Sequence, residues 1–314
     1  MSSSMIRGIW DNDHGSISKA ITLIENDHVL PKDLLNKIHD RSSHSIRIGI
    51  TGPPGAGKST LTSRLIETIL LENKTVGVIA VDPTSPFTGG SLLGDRVRMN
   101  HYNWDDRVFI RSMGSHGDLG GLARRSQEVG DVLAASGKDF VIYETVGVGQ
   151  GEHDIASAAD LTVVILVPES GDEIQLMKAG LIEIADLFVV NKSDRDGANR
   201  MTSLLKNILH TFSSKNKIEP PVYNTVASQG KGITDLFNGI KNHLQLMNDK
   251  GTFEEKRLFR YRQRVFDLIR KSLEDSFWTE QKKNTLNKST QSLESINIAP
   301  HLMAEELLGN QKIG

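Results

Sequence analysis

The 314-residue sequence contains no cysteine, which excludes disulfides, thiolate metal ligands and a cysteine nucleophile and leaves the redox compartment open. Nor is there an excess of basic charge. Thirty-seven Lys and Arg face 39 Asp and Glu, a net charge of -2, so no cationic surface for a nucleic acid or an anionic membrane is implied. No stretch approaches the roughly 18 apolar residues of a membrane span, and the opening MSSSMIRGIWDNDHG lacks the apolar core of a secretory signal. A soluble, cytoplasmic protein is expected. The ten histidines, among them His101, His116 and His153, have no metal-ligand spacing and are expected to be solvent-facing or hydrogen-bonded.

What remains is enough for a large core. Apolar residues make up 38% of the chain, and the length suits a nucleotide-binding domain with helical additions. Residues 1–44 are polar, with weak helical spacing around Ile17 to Leu35, and read as an N-terminal helical extension. From Ser45 a pattern repeats: a short β-branched run, a Gly- or Pro-marked turn, then helical apolar spacing. The runs are Ile46–Ile50, Thr75–Val81, Val108–Arg111, Phe140–Glu144, Leu161–Val167, Leu187–Val190 and Val222–Ala227. Crossover helices are expected at Thr60–Glu72, Leu119–Ser136, Glu173–Ala185, Met201–Phe212 and Ile233–Leu246. Nearly continuous apolar strands imply cover on both faces, so the spacing predicts an α/β doubly wound, mostly parallel sheet over 45–250. Ligands then belong where loops leave the carboxyl ends of the strands. From Gly251 to the end the chain becomes charged. Leu258, Tyr261, Val265, Leu268 and Ile269 form one helical stripe, either packed back on the core or forming an arm against a second copy. The polar segment Lys282–Ser295 is expected to be loosely ordered.

Gly52-Pro53-Pro54-Gly55-Ala56-Gly57-Lys58-Ser59 fits G-x-x-x-x-G-K-[ST] directly after the first apolar run, with a helical pattern behind it from Thr60. This is the context of a phosphate-binding loop. Backbone N–H groups of such a loop turn toward the phosphates, the helix N-terminus adds a favourable dipole, and Lys58 can reach the β/γ oxygens. Ser59 is placed to hold Mg²⁺. Asp82 and Glu144 close two strands at the same sheet edge; each is either a Mg²⁺ ligand or a cap for the next helix. Glu144-Thr145-Val146-Gly147 stands where many such GTPases carry D-x-x-G, with Gly147 at the γ-phosphate sensor and Val148–Gly151 as a loop that can order around triphosphate. Gln150 is either the residue that orients the attacking water or a polar loop residue without that role. Arg96, Arg98 and Arg111 are candidates for transition-state charge or for ordinary surface ion pairs.

Asn191-Lys192-Ser193-Asp194 follows the run Leu187–Val190 and reads as N-K-x-D. A carboxylate at Asp194 can accept from guanine N1–H and the 2-amino group, a donor pair adenine lacks, while the Lys192 stem covers the ring. Ala227 and Ser228 would offer backbone contacts to the guanine oxygen. GTP and GDP are therefore the expected ligands. A small-molecule kinase and a transporter-linked ATPase share the phosphate loop but lack a reason for this second motif.

G-P-P-G-A-G-K-S-T at Gly52–Thr60, V-D-P-T-S-P-F-T-G-G-S-L-L-G-D-R at Val81–Arg96 and E-T-V-G-V-G-Q at Glu144–Gln150 resemble the MeaB/ArgK-type GTPases over Ile46 to Leu246. The resemblance implies a GTP-dependent chaperone of a cobalamin-dependent acyl-CoA mutase of the methylmalonyl-CoA mutase type. The ArgK-type name implies instead an ATPase or kinase linked to amino-acid transport. It also implies a phosphate and magnesium site of Lys58, Ser59, Asp82, Asp95 and Glu144, and a homodimer joined through C-terminal helices. Val226 departs from the Ser usual in the last guanine motif, and the region beyond Ser276 does not follow the family.

Overall fold

The computed structural model describes residues 3–26, 31–82, 102, 104–114, 125–145, 151–169, 181–212, 218–293, 296 and 298–309. Two compact units divide the chain, Met1–Lys256 and Arg257–Gly314.

The first unit is built on seven parallel strands: β1 (Ile46–Thr51), β2 (Val76–Asp82), β3 (Val108–Gly114), β4 (Phe140–Thr145), β5 (Leu161–Leu166), β6 (Leu187–Val190) and β7 (Val222–Asn224). Their order is β3-β2-β4-β1-β5-β6-β7. Strand alternation explains why the sequence runs look apolar throughout. Ile48 and Ile50 of β1, with Val163 and Ile165 of β5, meet α4 (Lys58–Leu71) and α9 (Ile233–Asp249) in one core. On the other face, Val164 and Leu166 pack with Leu205 and Leu209 of α8 (Ala198–Phe212) and with Leu181 of α7 (Leu181–Ile184). Tyr143 and Val141 face α5 (Ser126–Ala135).

Helices α1 (Ser3–Trp10), α2 (His14–Asn26) and α3 (Lys32–His39) complete that second face. Ile6, Ile9, Ile17, Ile21, Ile24, Leu34 and Ile38 are buried in one cluster with Ile79, Val132 and Tyr143. Seven such side chains, at about 1.5 kcal/mol or more each, match the roughly 5–15 kcal/mol by which a whole domain is stable. Helices α1, α2 and α3 thus contribute to the domain's core. The Asp106 carbonyl fastens their first turn: it accepts from Asn12 Nδ2 (2.8 Å), His14 Nε2 (3.3 Å) and Lys138 Nζ (2.9 Å).

Three differences from the sequence pattern have local causes. The expected last strand stops at Asn224 and gives way to a 3₁₀ turn, Ala227–Gln229. Gly232 lies there at φ +75°, where a Cβ would meet the Asn224 carbonyl at 2.2 Å. Helix α6 (Gly151–Ala158) occupies a segment with almost no apolar periodicity. Its anchor is Ile155, whose Cγ2 lies 2.4 Å from where a Cβ on Gly49 would be, so a glycine in β1 admits it. Of Lys282–Ser295, expected to be loose, the part 282–289 lies in helix α11 (Glu280–Ser289), whose first turn is capped by Thr279 Oγ1 accepting from Lys282 N at 3.3 Å.

Helix α10 (Thr252–Phe277) begins in the first unit and continues into the second, which also holds α11 and α12 (Pro300–Leu308). None of the three helices has a buried residue. The stripe Leu258, Tyr261, Val265, Leu268 and Ile269 is 38–58% exposed. Within the second unit Phe277, Trp278, Leu286, Met303 and Leu307 line a cavity of about 600 Å³.

Candidate functional site

All seven strands point the same way, so the carboxyl ends of β1, β2, β4, β6 and β7 lie along one edge. β1 sits between β4 and β5, with Ile50 level with Glu144. The chain therefore leaves β1 as the loop Gly52–Gly57 at the point where connections diverge to either side of the sheet, the usual place for a ligand in such folds.

The loop's shape depends on its glycines. Gly52 has φ +140°, and a Cβ there would lie 2.0 Å from the Ile165 carbonyl; Gly57 has φ +88°, and a Cβ there would lie 2.5 Å from Asn191 Nδ2. Pro54 and Gly55 form an exposed tip, and Ala56 N–H closes the turn onto the Pro53 carbonyl at 3.2 Å. Lys58 and Ser59 open α4, with Thr60 behind them. Lys58 is buried and its Nζ donates to the Gly52 and Pro53 carbonyls at 2.9 and 3.0 Å. The ammonium thus bridges the loop it belongs to, within reach of anything the loop surrounds. Ser59 Oγ donates to Glu144 Oε1 at 2.5 Å. One level below, Thr51 and Thr145 hydroxyls meet at 3.1 Å.

Asn191 is the joint of the site. It is 2% exposed. Its Nδ2 donates to the Ala56 carbonyl at 2.8 Å, and its Oδ1 accepts from Thr225 Oγ1 at 3.0 Å and from Ala227 N–H at 3.1 Å. One side chain thereby fastens the phosphate loop to the turn after β7. Lys192 follows at φ +55°, an uncommon left-handed conformation for a residue with a Cβ. Ser193 N–H donates to the Thr225 carbonyl at 3.0 Å, and Asp194 is exposed beside it. Arg64, two turns along α4, donates through Nε to the Ala227 carbonyl and through Nη2 to the Ser228 carbonyl, both at 3.3 Å. Glu67 holds the same guanidinium at 2.8 Å.

The structure thus assembles Gly52–Thr60, Glu144, Asn191, Lys192, Asp194, Ala227 and Ser228 along one edge. Asp82 ends β2 at that edge, and its side chain lies outside the described atoms, as do residues Asp95, Gly147 and Gln150 entirely. Arg96 and Arg98 also lie outside. Of the two roles open to Arg111, the structure shows an ion pair: it sits midway along β3 and pairs with Glu25 of α2, so its charge serves the packing of the N-terminal helices. Among the described residues no three His, Cys, Asp or Glu side chains cluster together. No helix of the described residues is long and apolar enough to cross a membrane. The sequence pattern missed Thr225 and Arg64; both act on carbonyls or amides far along the chain and belong to no short motif.

Residues 17–282 match the model of a family described as methylmalonyl-CoA mutase-associated GTPase MeaB. The chain belongs to the MeaB family. It is a GTPase that binds guanine nucleotides. Among relatives of this MeaB-family chain, a GTPase of Pyrococcus abyssi is 40% identical over 311 residues, covering 98% of this chain and 96% of its own. GTPase ArgK of Escherichia coli is 35% identical over 278 residues, 86% of this chain and 83% of its own. The mouse protein named methylmalonic aciduria type A homolog, mitochondrial, is 32% identical over 290 residues, 87% of this chain and 70% of its own. A crystal structure of an LAO/AO transport system kinase superposes with a TM-score of 0.74 at 25% identity, covering 98% and 96% of the two chains.

Proposed function

We propose that this MeaB-family GTPase is a switch for a cobalamin-dependent acyl-CoA mutase of the methylmalonyl-CoA mutase type, gating cofactor loading and protecting the enzyme in the cytoplasm. The family match over residues 17–282, with its description as mutase-associated, carries the reading. The name of the mouse relative points the same way.

In this reading Lys58 exchanges its bonds to the Gly52 and Pro53 carbonyls for the β/γ-phosphate oxygens of GTP. Water attacks the γ-phosphorus in line as the bond to the bridging oxygen breaks. Gln150 orients that water and Gly147 senses the γ-phosphate. The Ser59 hydroxyl and the Glu144 carboxylate, 2.5 Å apart, are an oxygen pair of the kind hard divalent cations take. They would hold Mg²⁺ together with Asp82 and Asp95. When bound, the cation supplies neutralisation of charge on the phosphate oxygens. Lys192 and Asp194 take the guanine, while Asn191 holds the loops from behind.

The exposed stripe of α10 supports a homodimer joined through the C-terminal helices. A 26-residue helix with no buried residue gains little by standing alone, because helices draw most of their stability from burying an apolar face.

Calorimetry with GDP and ADP in Mg²⁺, repeated on Asp194→Asn, tests the base reading. Tight GDP binding that the substitution weakens at least tenfold, with little ADP binding in either protein, is expected. Comparable ADP binding, indifferent to the substitution, would favour the transport-ATPase reading attached to the ArgK-type name. Turnover is expected to be slow alone and to rise with a cobalamin-dependent mutase present; equal rates would count against the switch.

A further inference from the structure

Helix α4 carries two devices six residues apart. At its first turn Lys58 and Ser59 face the phosphate loop. About 9 Å further along, at 1.5 Å per residue, the Arg64 guanidinium reaches the Ala227 and Ser228 carbonyls at 3.3 Å each. Bonds to Glu67 Oε1 and Oε2 at 3.1 and 2.8 Å keep that guanidinium in its fork orientation. A peptide whose carbonyl is fixed has its N–H fixed too, because the unit is planar. The turn is fastened from the opposite side by Ala227 N–H donating to Asn191 Oδ1. With that amide engaged, the peptide joining Ala227 to Ser228 is the one whose carbonyl Arg64 holds and whose N–H remains to meet a base.

We infer that Arg64 is a positioning residue for guanine: by gripping the Ala227 and Ser228 carbonyls it aims the Ser228 N–H at the 6-oxo group of the base. The inference rests on the reading of this turn as a base contact. It extends that reading by assigning recognition of the 6-oxo group to the phosphate-loop helix, separately from the Asp194 carboxylate that takes the neighbouring N1–H and 2-amino groups. Arg64 touches no reacting atom, so its effect falls on base affinity and leaves the hydrolytic step alone.

The test compares wild type with Arg64→Met, which keeps most of the aliphatic stem, and with Arg64→Lys, which keeps the charge but loses the fork. Affinities are measured for GDP, for IDP, which keeps the 6-oxo group and lacks the 2-amino group, and for 2-aminopurine riboside diphosphate, which keeps the 2-amino group and lacks the 6-oxo group and the N1–H. Arg64→Met is expected to weaken GDP and IDP alike by about tenfold, the worth of one hydrogen bond, while 2-aminopurine riboside diphosphate binding is unchanged. KM for GTP should rise by the same factor at constant kcat, and Arg64→Lys should restore less than half of the loss on a logarithmic scale. An equal loss for all three nucleotides, or no loss for any, overturns the inference while leaving the turn's contact with the base intact. A wild type that binds GDP and 2-aminopurine riboside diphosphate equally overturns both.

Discussion

Replacing Asn191 by alanine removes one buried side chain and strands three groups at once: the Ala56 carbonyl, the Thr225 hydroxyl and the Ala227 N–H. A buried polar group left without its partner costs about 1–3 kcal/mol. The cavity left by the amide is polar and adjoins a solvent-facing loop, so water can satisfy part of the loss, and the lower end applies, about 3 kcal/mol in all. For a domain of this size that is about 6–12 °C in Tm. The partner substitution Thr225→Val deletes one of the three bonds and removes the hydroxyl itself, so it should cost about 1 kcal/mol. Urea unfolding followed by circular dichroism gives both values, and GDP titration of the folded variants should show Asn191→Ala weakened by more than tenfold because the phosphate loop has lost its tie at Ala56. Should Asn191→Ala cost no more than Thr225→Val, the account of Asn191 as a three-way joint is wrong.

Gly57→Ala forces a Cβ toward Asn191 Nδ2 at a left-handed φ, a conformation costing an L-residue about 1–2 kcal/mol. The expected result is at least a tenfold loss of GTP affinity, read by calorimetry, with Gly55→Ala, where a Cβ meets nothing within 4 Å, milder. Burial pushes the Lys138 ammonium down to about 8 despite Asp106 and Asp105 nearby. Between that value and the ordinary lysine pKa the unfolded chain holds a proton the folded chain has released, so stability rises with pH across this window. Relative to Lys138→Met, the wild type should gain about 2 kcal/mol between pH 7.5 and 9.5; a constant difference would refute the buried-lysine account. Burial also lowers the pKa of His243, opposed by Asp186 and aided by Lys256. The unfolded chain then binds a proton below about pH 6.5 that the folded chain resists. Stability should fall as pH drops from 7 to 5.5, and the melting temperature of His243→Gln should fall less.

The strands were readable because most are apolar on both faces, a pattern expected of a covered parallel sheet. The phosphate loop was readable because its chemistry is local: successive amides, two constrained glycines and a lysine within eight residues. Asn191 belonged to a readable motif, but its work did not show, since its partners lie at Ala56, Thr225 and Ala227, 135, 34 and 36 residues away. Arg64 left no trace for the same reason, its acceptors being backbone carbonyls that any residue supplies. Helix α6 escaped because one isoleucine set into the space above Gly49 does the packing that periodicity would normally advertise. Helix α11 escaped because its composition is polar, whereas its Thr279 cap and good helix formers need only the contact of Leu286 with the cavity lining.

The burial of α1, α2 and α3 against α5 and β4 also sets an order of events during synthesis. These helices leave the ribosome before their cover, which lies about 100 residues downstream, on the order of ten seconds later at about 5–20 residues per second. Through that interval the face bearing Ile17, Ile21 and Ile24 meets only part of its native cover, so the nascent chain must travel with an apolar side partly open until Tyr143 and its strand arrive. A slow or paused ribosome lengthens that exposure.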